Sequence, residues 1–157
     1  MTKEIATFGM GCFWKPDLIF SEIKGVSKVT VGFMGGDEKK FPNPTYRQVC
    51  WRKTGYAEVV NIEFENKKIN YEKLLELFWE NHNPTTKNRQ GFDIGAQYRS
   101  VIFYYSSSQR KKAEASLKEH QEENDKKIVT QINKAKTFFG AEDYHQDYLK
   151  KRGKKTC

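Results

Sequence analysis

The run Gly9-Met10-Gly11-Cys12-Phe13-Trp14 puts a cysteine where a strand ends, two glycines make a sharp turn and a helix is expected to begin. A helix N-terminus carries partial positive charge and unpaired N–H groups, and both stabilise a thiolate. A cysteine there can have its pKa lowered from about 8.5 to roughly 3.5–7.5. Cys12 is therefore a candidate nucleophile; the alternative is a buried structural cysteine. Phe13 and Trp14 offer an apolar wall for a substrate with an apolar group on its reacting atom. The second candidate is Glu58, in Ala57-Glu58-Val59-Val60-Asn61-Ile62-Glu63-Phe64. Strand alternation places it on the face of Val60, Ile62 and Phe64, opposite Asn61 and Glu63. On an apolar face the charged form of a carboxyl is disfavoured, and its pKa rises. A carboxylic acid kept neutral near pH 7 can serve as a general acid. If the strand end frays, Glu58 reaches solvent instead. A thiolate with a neutral acid suits attack on a polarised atom whose oxygen leaves only once protonated, and a sulfoxide has that chemistry. Tyr46 and Tyr98 could add phenolic hydrogen bonds to such an oxygen, or be half-buried packing residues.

The elements that must hold these groups can be read from periodicity. Residues 3–9 alternate and end in the Gly9-Met10-Gly11 turn, a strand. Residues 13–24 carry Ile19, Phe20 and Ile23 on one side. Pro16 fits only a first turn, so this helix begins near residues 13–15. Residues 26–33 and 57–64 alternate as strands. Thr45 can cap a short helix over residues 46–51, and Asn70 one that carries Tyr71, Leu74, Leu75 and Phe78 at i, i+3, i+4 and i+7. Residues 101–105 form an apolar run, a buried strand; 108–124 a charged helix; 127–132 an edge strand; 141–149 a brief helix before a basic tail. The order predicts an α+β fold, a ferredoxin-like split βαβ sandwich with a largely irregular C-terminal segment, in one domain over 1–157. The polar stretch 82–99, with Asn88, Gln90, Asp93, Gln97 and Tyr98, is long for a structureless loop and reads as ordered and functional.

Composition narrows the classes. No apolar run approaches the roughly 18 residues a membrane helix needs, and Met1-Thr2-Lys3-Glu4 does not begin a secretory signal. Cys12, Cys50 and Cys157 are too few for a disulfide scaffold, and there is no CxxC. His82, His120 and His145 show no metal-ligand spacing with them, so no metal is expected. The net charge of +8 lacks the regular basic stripe of a nucleic-acid reader. A thiol peroxidase and a non-catalytic binding module remain as alternatives to a sulfoxide reductase.

Longer motifs carry a resemblance. Gly11-Cys12-Phe13-Trp14 resembles the GCFW signature of A-type peptide-methionine sulfoxide reductases, and Gly32-Phe33-Met34-Gly35-Gly36 the family's G-[YF]-x-G-G. Pro44-Thr45-Tyr46, Val49-Cys50 and Thr54-Gly55-Tyr56-Ala57-Glu58 resemble P-T-Y, V-C and T-G-H-A-E. Phe78-Trp79-Glu80-Asn81-His82-Asn83-Pro84-Thr85 resembles F-[WF]-x-x-H-[DN]-P-T. Asn88-Arg89-Gln90-Gly91-Phe92-Asp93-Ile94-Gly95 with Gln97-Tyr98-Arg99-Ser100 resembles N-R-Q-G-x-D-x-G-x-Q-Y-R-S, and residues 141–149 resemble A-E-x-Y-H-Q-x-Y-L. The resemblance covers about residues 5–157.

It implies reduction of methionine-S-sulfoxide, free and in proteins. Cys12 would be the nucleophile left as a sulfenic acid, and Glu58 the acid. Tyr46 and Tyr98 would bond the sulfoxide oxygen, Phe13 and Trp14 would hold the S-methyl group, and Asp93 would help fix the substrate backbone. It implies no metal or organic cofactor; reducing equivalents come from thioredoxin or a small dithiol. Cys157, eight residues after Leu149, would resolve the sulfenic acid, with Cys50 as competitor. A cytoplasmic monomer that binds neither membrane nor specific nucleic acid is expected. Two departures stand out: Lys15-Pro16-Asp17 follows Trp14 where the family has a small residue, a position and Glu, and Tyr56 replaces the family's His. A packing change is expected at Tyr56.

Overall fold

The computed structural model describes residues 3–51 and 53–153. The elements run β1 (Lys3–Met10), α1 (Trp14–Ser21), β2 (Val26–Met34), α2 (Tyr46–Trp51), β3 (Ala57–Glu65), α3 (Tyr71–Glu80), β4 (Arg89–Gln90), β5 (Asp93–Ile94), β6 (Ser100–Tyr104), α4 (Ser107–Glu122), β7 (Gln131–Lys134), β8 (Phe139–Gly140) and α5 (Tyr148–Lys151). One sheet has the order β7-β6-β1-β3-β2-β8, and β4-β5 is a separate small hairpin. The four central strands, β6-β1-β3-β2, pair antiparallel with one another. Each βαβ unit, β1-α1-β2 and β3-α3-β6, skips one strand that lies between its own two. This is the expected split βαβ arrangement in an α+β fold. Strand β7 adds parallel to β6 and β8 antiparallel to β2.

Strand alternation builds the core. The buried rings of Phe8, Phe20, Tyr71 and Phe78 meet, with centroids 5.0–6.2 Å from Phe8. Val60, Ile62 and Phe64 of β3 join this cluster. Ala57 and Val59 point through the sheet to a smaller cluster with Met34, Val101 and Phe103, covered by Ala135 and Phe138. Glu58 therefore shares the face of the main core. The caps form as read. Thr45 and Gln48 cap reciprocally: Gln48 N–H donates to Thr45 Oγ1 at 3.1 Å and Thr45 N–H to Gln48 Oε1 at 3.0 Å. Lys73 N–H donates to Asn70 Oδ1 at 2.8 Å. Among the described residues, no helix is long and apolar enough to cross a membrane.

Three sequence expectations shift. The edge strand begins at Gln131, not 127, because Ile128 N–H donates to Gln121 Oε1 and Val129 N–H to Pro84 O, both at 2.8 Å. The 82–99 stretch holds the hairpin and a 3-10 turn at Ala96–Tyr98. Residues 141–149 contain a 3-10 turn at Asp143–His145 and the start of α5 rather than one helix.

The C-terminal segment is strapped to the sheet by one side chain. Val31 N–H donates to Gln146 Oε1 at 2.8 Å, and Gln146 Nε2–H donates to Val31 O at 2.9 Å and Ala141 O at 3.1 Å. Gln146 thus acts as a further rung beside β8. Gln146→Ala leaves the N–H of a fully buried residue unsatisfied. It is expected to lower stability by about 2–3 kcal/mol, read as a lower urea midpoint at unchanged slope.

Candidate active site

Strand β1 delivers its last residue, Met10, to the sheet edge, and Gly11 then takes φ +90°, which a side chain disfavours. A Cβ on Gly11 would also fall 2.7 Å from Gln90 of the β4-β5 hairpin, so the turn and hairpin lie against each other. Cys12 follows, half-buried. It immediately precedes the helix, whose start falls within the expected residues 13–15. Phe13 is the N-cap of α1 and Trp14 the first helical residue. The Phe13 N–H, which has no partner within the helix, donates to Glu58 Oε1 at 3.3 Å. The turn thus binds the candidate acid to the residue next to the candidate nucleophile.

Glu58 is 1% exposed, which decides between the two readings of its strand end. Its Oε2 is buried without a hydrogen-bond partner. Burial pushes its pKa up to about 8, opposed by the Phe13 N–H and reinforced by the negative charge of Asp93. The carboxyl is therefore largely protonated at neutral pH, and its second oxygen is available to donate a proton. Asp93 lies on β5, and its charge also reaches Tyr98 in the adjoining 3-10 turn. Burial is the main cause that raises the Tyr98 and Tyr46 hydroxyls, and Glu58 adds to both, so both remain proton donors. Tyr98 also feels Cys12 and Cys50. Cys12, Glu58, Tyr46, Tyr98 and Asp93 are thus gathered within electrostatic reach of one another.

The aromatic wall is layered. Phe13 is buried, with its ring centroid 5.8 Å from Phe33, 6.1 Å from Tyr46 and 5.4 Å from His145. Trp14 stands half-exposed in front of it and stacks on Tyr148 at 3.7 Å with planes 4° apart. Arg152 caps the far side of Tyr148 at 3.6 Å. The Trp14 indole N–H donates to His145 Nδ1 at 3.1 Å. That bond requires an unprotonated Nδ1, and burial lowers the His145 pKa, so the ring is neutral.

His145 was missed by the sequence reading, which gave its motif no chemistry. Glu142, whose Oε1 accepts from Tyr46 N–H at 3.2 Å, was missed as well. The only signal was their place in a matching block, because contacts across roughly 100 residues leave no local periodicity. Asp17 has a role too. Its Oδ2 accepts from Asp147 N–H at 2.8 Å, which holds a left-handed residue (φ 53°) at the entry to α5. Burial raises its pKa to about 6.

Cys50 lies in α2. Its sulfur interacts with the Tyr46 hydroxyl and the Gln97 side chain, and burial pushes its thiol up. Cys157 lies outside the described residues. Tyr56 is buried, with its hydroxyl donating to Phe41 O at 2.8 Å. Among the described residues, no group of three or more His, Cys, Asp or Glu could hold a metal ion.

Residues 4–157 match the family model described as peptide methionine sulfoxide reductase. The chain is 54% identical over 149 residues to peptide methionine sulfoxide reductase MsrA of Methanococcus maripaludis, across 95% of this chain and 93% of that relative. It superposes on reduced Mxr1 of Saccharomyces cerevisiae with TM-score 0.93 and 34% identity, across 99% of this chain and 89% of that one. It shares its fold with Mxr1 crystallised with Trx2, at TM-score 0.65 and 23% identity, across 94% and 85%.

Proposed function

We propose a residue-level course of reaction on the premise that the chain belongs to the peptide methionine sulfoxide reductase family, as the match over residues 4–157 shows. The chain is a thiol-dependent oxidoreductase that returns methionine sulfoxide to methionine. In the proposed course, Cys12 thiolate attacks the sulfoxide sulfur while Glu58 protonates the sulfoxide oxygen. Tyr46 and Tyr98 hydrogen-bond that oxygen as charge builds on it. The oxygen ends on Cys12 as a sulfenic acid; the Cys12 sulfur is oxidised by two electrons and the methionine sulfur reduced by two. Trp14 lies against the S-methyl group with Phe13 behind it, which selects the S epimer of free and protein-bound substrate. Burial keeps Glu58 protonated, the charge of Asp93 adds to that effect, and Asp93 helps fix the substrate backbone. The observation that carries this reading is Glu58 itself. It is a buried, protonated carboxyl with one oxygen held by Phe13 N–H, next to Cys12, and the other without a partner.

A second thiol then attacks the sulfenic acid, releases water and forms a disulfide that a dithiol reduces. Cys157 is the proposed resolving residue. Trp14, two residues from Cys12, is stacked under Tyr148 and Arg152. Five residues of chain from Arg152 to Cys157 span up to roughly 17 Å when extended. Cys50 is the poorer candidate, since its raised pKa leaves little thiolate. Thioredoxin is the proposed reductant, in keeping with the Mxr1–Trx2 complex of the yeast relative. The basic residues 150–155 would steer its acidic surface. The sparse, odd set of cysteines fits a reducing compartment, and we place the protein in the cytoplasm as a monomer. No metal or organic cofactor enters this course.

The deciding experiment is dithiothreitol-driven reduction of a racemic methionyl sulfoxide peptide with the epimers resolved by chromatography. Loss of the S epimer alone is expected; loss of neither, or of both equally, overturns the reading. Cys157→Ser is expected to leave the first turnover intact and to reduce thioredoxin-driven turnover by about 100-fold or more. Unchanged thioredoxin-driven turnover would move the resolving role to Cys50.

A further inference from the structure

At the foot of the 82–99 loop, away from Cys12 in the chain and in its lining, lies a cavity of about 260 Å³. Its walls include Thr86, Lys87, Asn88, Arg99, Lys127 and Gln131, three cations and no carboxylate. Arg99 is the informative residue. Its Nε–H donates to Gln131 Oε1 at 3.2 Å and its Nη1–H to Ala96 O at 2.9 Å, both neutral acceptors. Among the described residues, no ion pair includes Arg99, Lys87 or Lys127. Burial is the cause that lowers the Arg99 pKa, with no carboxylate opposing it. A partly buried guanidinium with only neutral partners is hydrogen-bonded but lacks a counter-charge.

We propose that this cavity is an oxyanion site that takes a phosphate-sized, doubly charged group, free or carried on a larger molecule. Arg99 supplies a permanent positive charge and N–H donors beyond the two that Gln131 and Ala96 engage. Lys87 comes from the loop and Lys127 from the segment after α4, and both line the cavity. Gln131 and Asn88 add neutral polar groups without repelling an anion. The volume accommodates a tetrahedral oxyanion with room for the first atoms of a carrier. The net charge of +8 raises the local concentration of anions around the whole chain. The site is independent of the Cys12 reaction, since none of its lining residues takes part in the proposed chemistry.

The test is a titration of the full chain with inorganic phosphate at constant pH and ionic strength, followed by the backbone amide resonances of residues 86–88, 96–100 and 127–131. Saturable shifts in those resonances, with chloride at equal ionic strength not reproducing them, are expected. Arg99→Gln should weaken the dissociation constant at least tenfold. The double variant Lys87→Gln/Lys127→Gln, which alters only exposed side chains, should weaken it severalfold while the urea midpoint stays unchanged. A phosphoserine peptide that binds more tightly than inorganic phosphate assigns the site to a carried group, and equal or weaker binding assigns it to the free ion. Shifts that do not saturate, that chloride reproduces, or that both variants retain overturn the proposal.

Discussion

Cys12→Ser is expected to stop sulfoxide reduction, with single-turnover methionine formation at least about 10⁴-fold slower. A serine hydroxyl is a far weaker nucleophile at neutral pH, and it has no counterpart of the sulfenic acid to take up the oxygen and two electrons. The loss should therefore appear already in the first turnover, with excess enzyme and no reductant, where recycling plays no part. Fold should survive, because the change is nearly isosteric at a half-buried position. A sulfenic-acid trapping reagent should label wild-type protein after substrate and leave the variant unlabelled. Methionine formation at the normal rate, with Cys50 labelled instead, would remove Cys12 from the role.

Glu58→Gln is expected to slow the first turnover by about 10²–10⁴-fold, the ordinary worth of a positioned general acid. Glutamine keeps the shape and an oxygen for Phe13 N–H but has no proton to give. Wild-type activity should fall as the pH rises through about 8, where the carboxyl ionises. The variant should lose that limb of the profile. The same residue gives a stability signature, which also falls as the pH rises. Its folded pKa of about 8 exceeds the ordinary 4.5, so between those values the native chain holds a proton that the unfolded chain has lost. Its contribution to stability is therefore fully present below pH about 4.5 and is lost as the pH rises through about 8. Glu58→Gln should remove that slope and stabilise the protein on the order of 3 kcal/mol at pH 7. A variant both slow and more stable would mark the acid; one slow and less stable would mark a structural residue.

What was legible in the sequence was what local periodicity encodes. Alternation over residues 57–64 was enough to place Glu58 on the core face, and it lies there. Thr45 and Asn70 cap as their types require. The order of strands and helices led to the split βαβ arrangement because few topologies satisfy it. What failed was set by distant partners. The bond from Phe13 N–H to Glu58 joins residues 45 apart in the chain, and no local pattern shows it. Strand β7 starts late because Gln121 and Pro84 claim the N–H groups of Ile128 and Val129. Strands β4, β5 and β8, of two residues each, are too short to show any period. The neutral ring of His145 behind Trp14 depends on a bond between residues 131 positions apart.

The strap that Gln146 makes to Val31, and the stack of Tyr148 on Trp14, set an order for the birth of the enzyme. On the ribosome Cys12 emerges early, long before residues 141–149 that buttress the aromatic wall beside it. The central strand β1 must wait for both β3 and β6 before it has neighbours on either side. The proposed nucleophile is thus made first and the aromatic wall beside it completed last. A nascent chain carries a thiol but no site, and it becomes a catalyst only as the segment that carries His145 and Tyr148 docks.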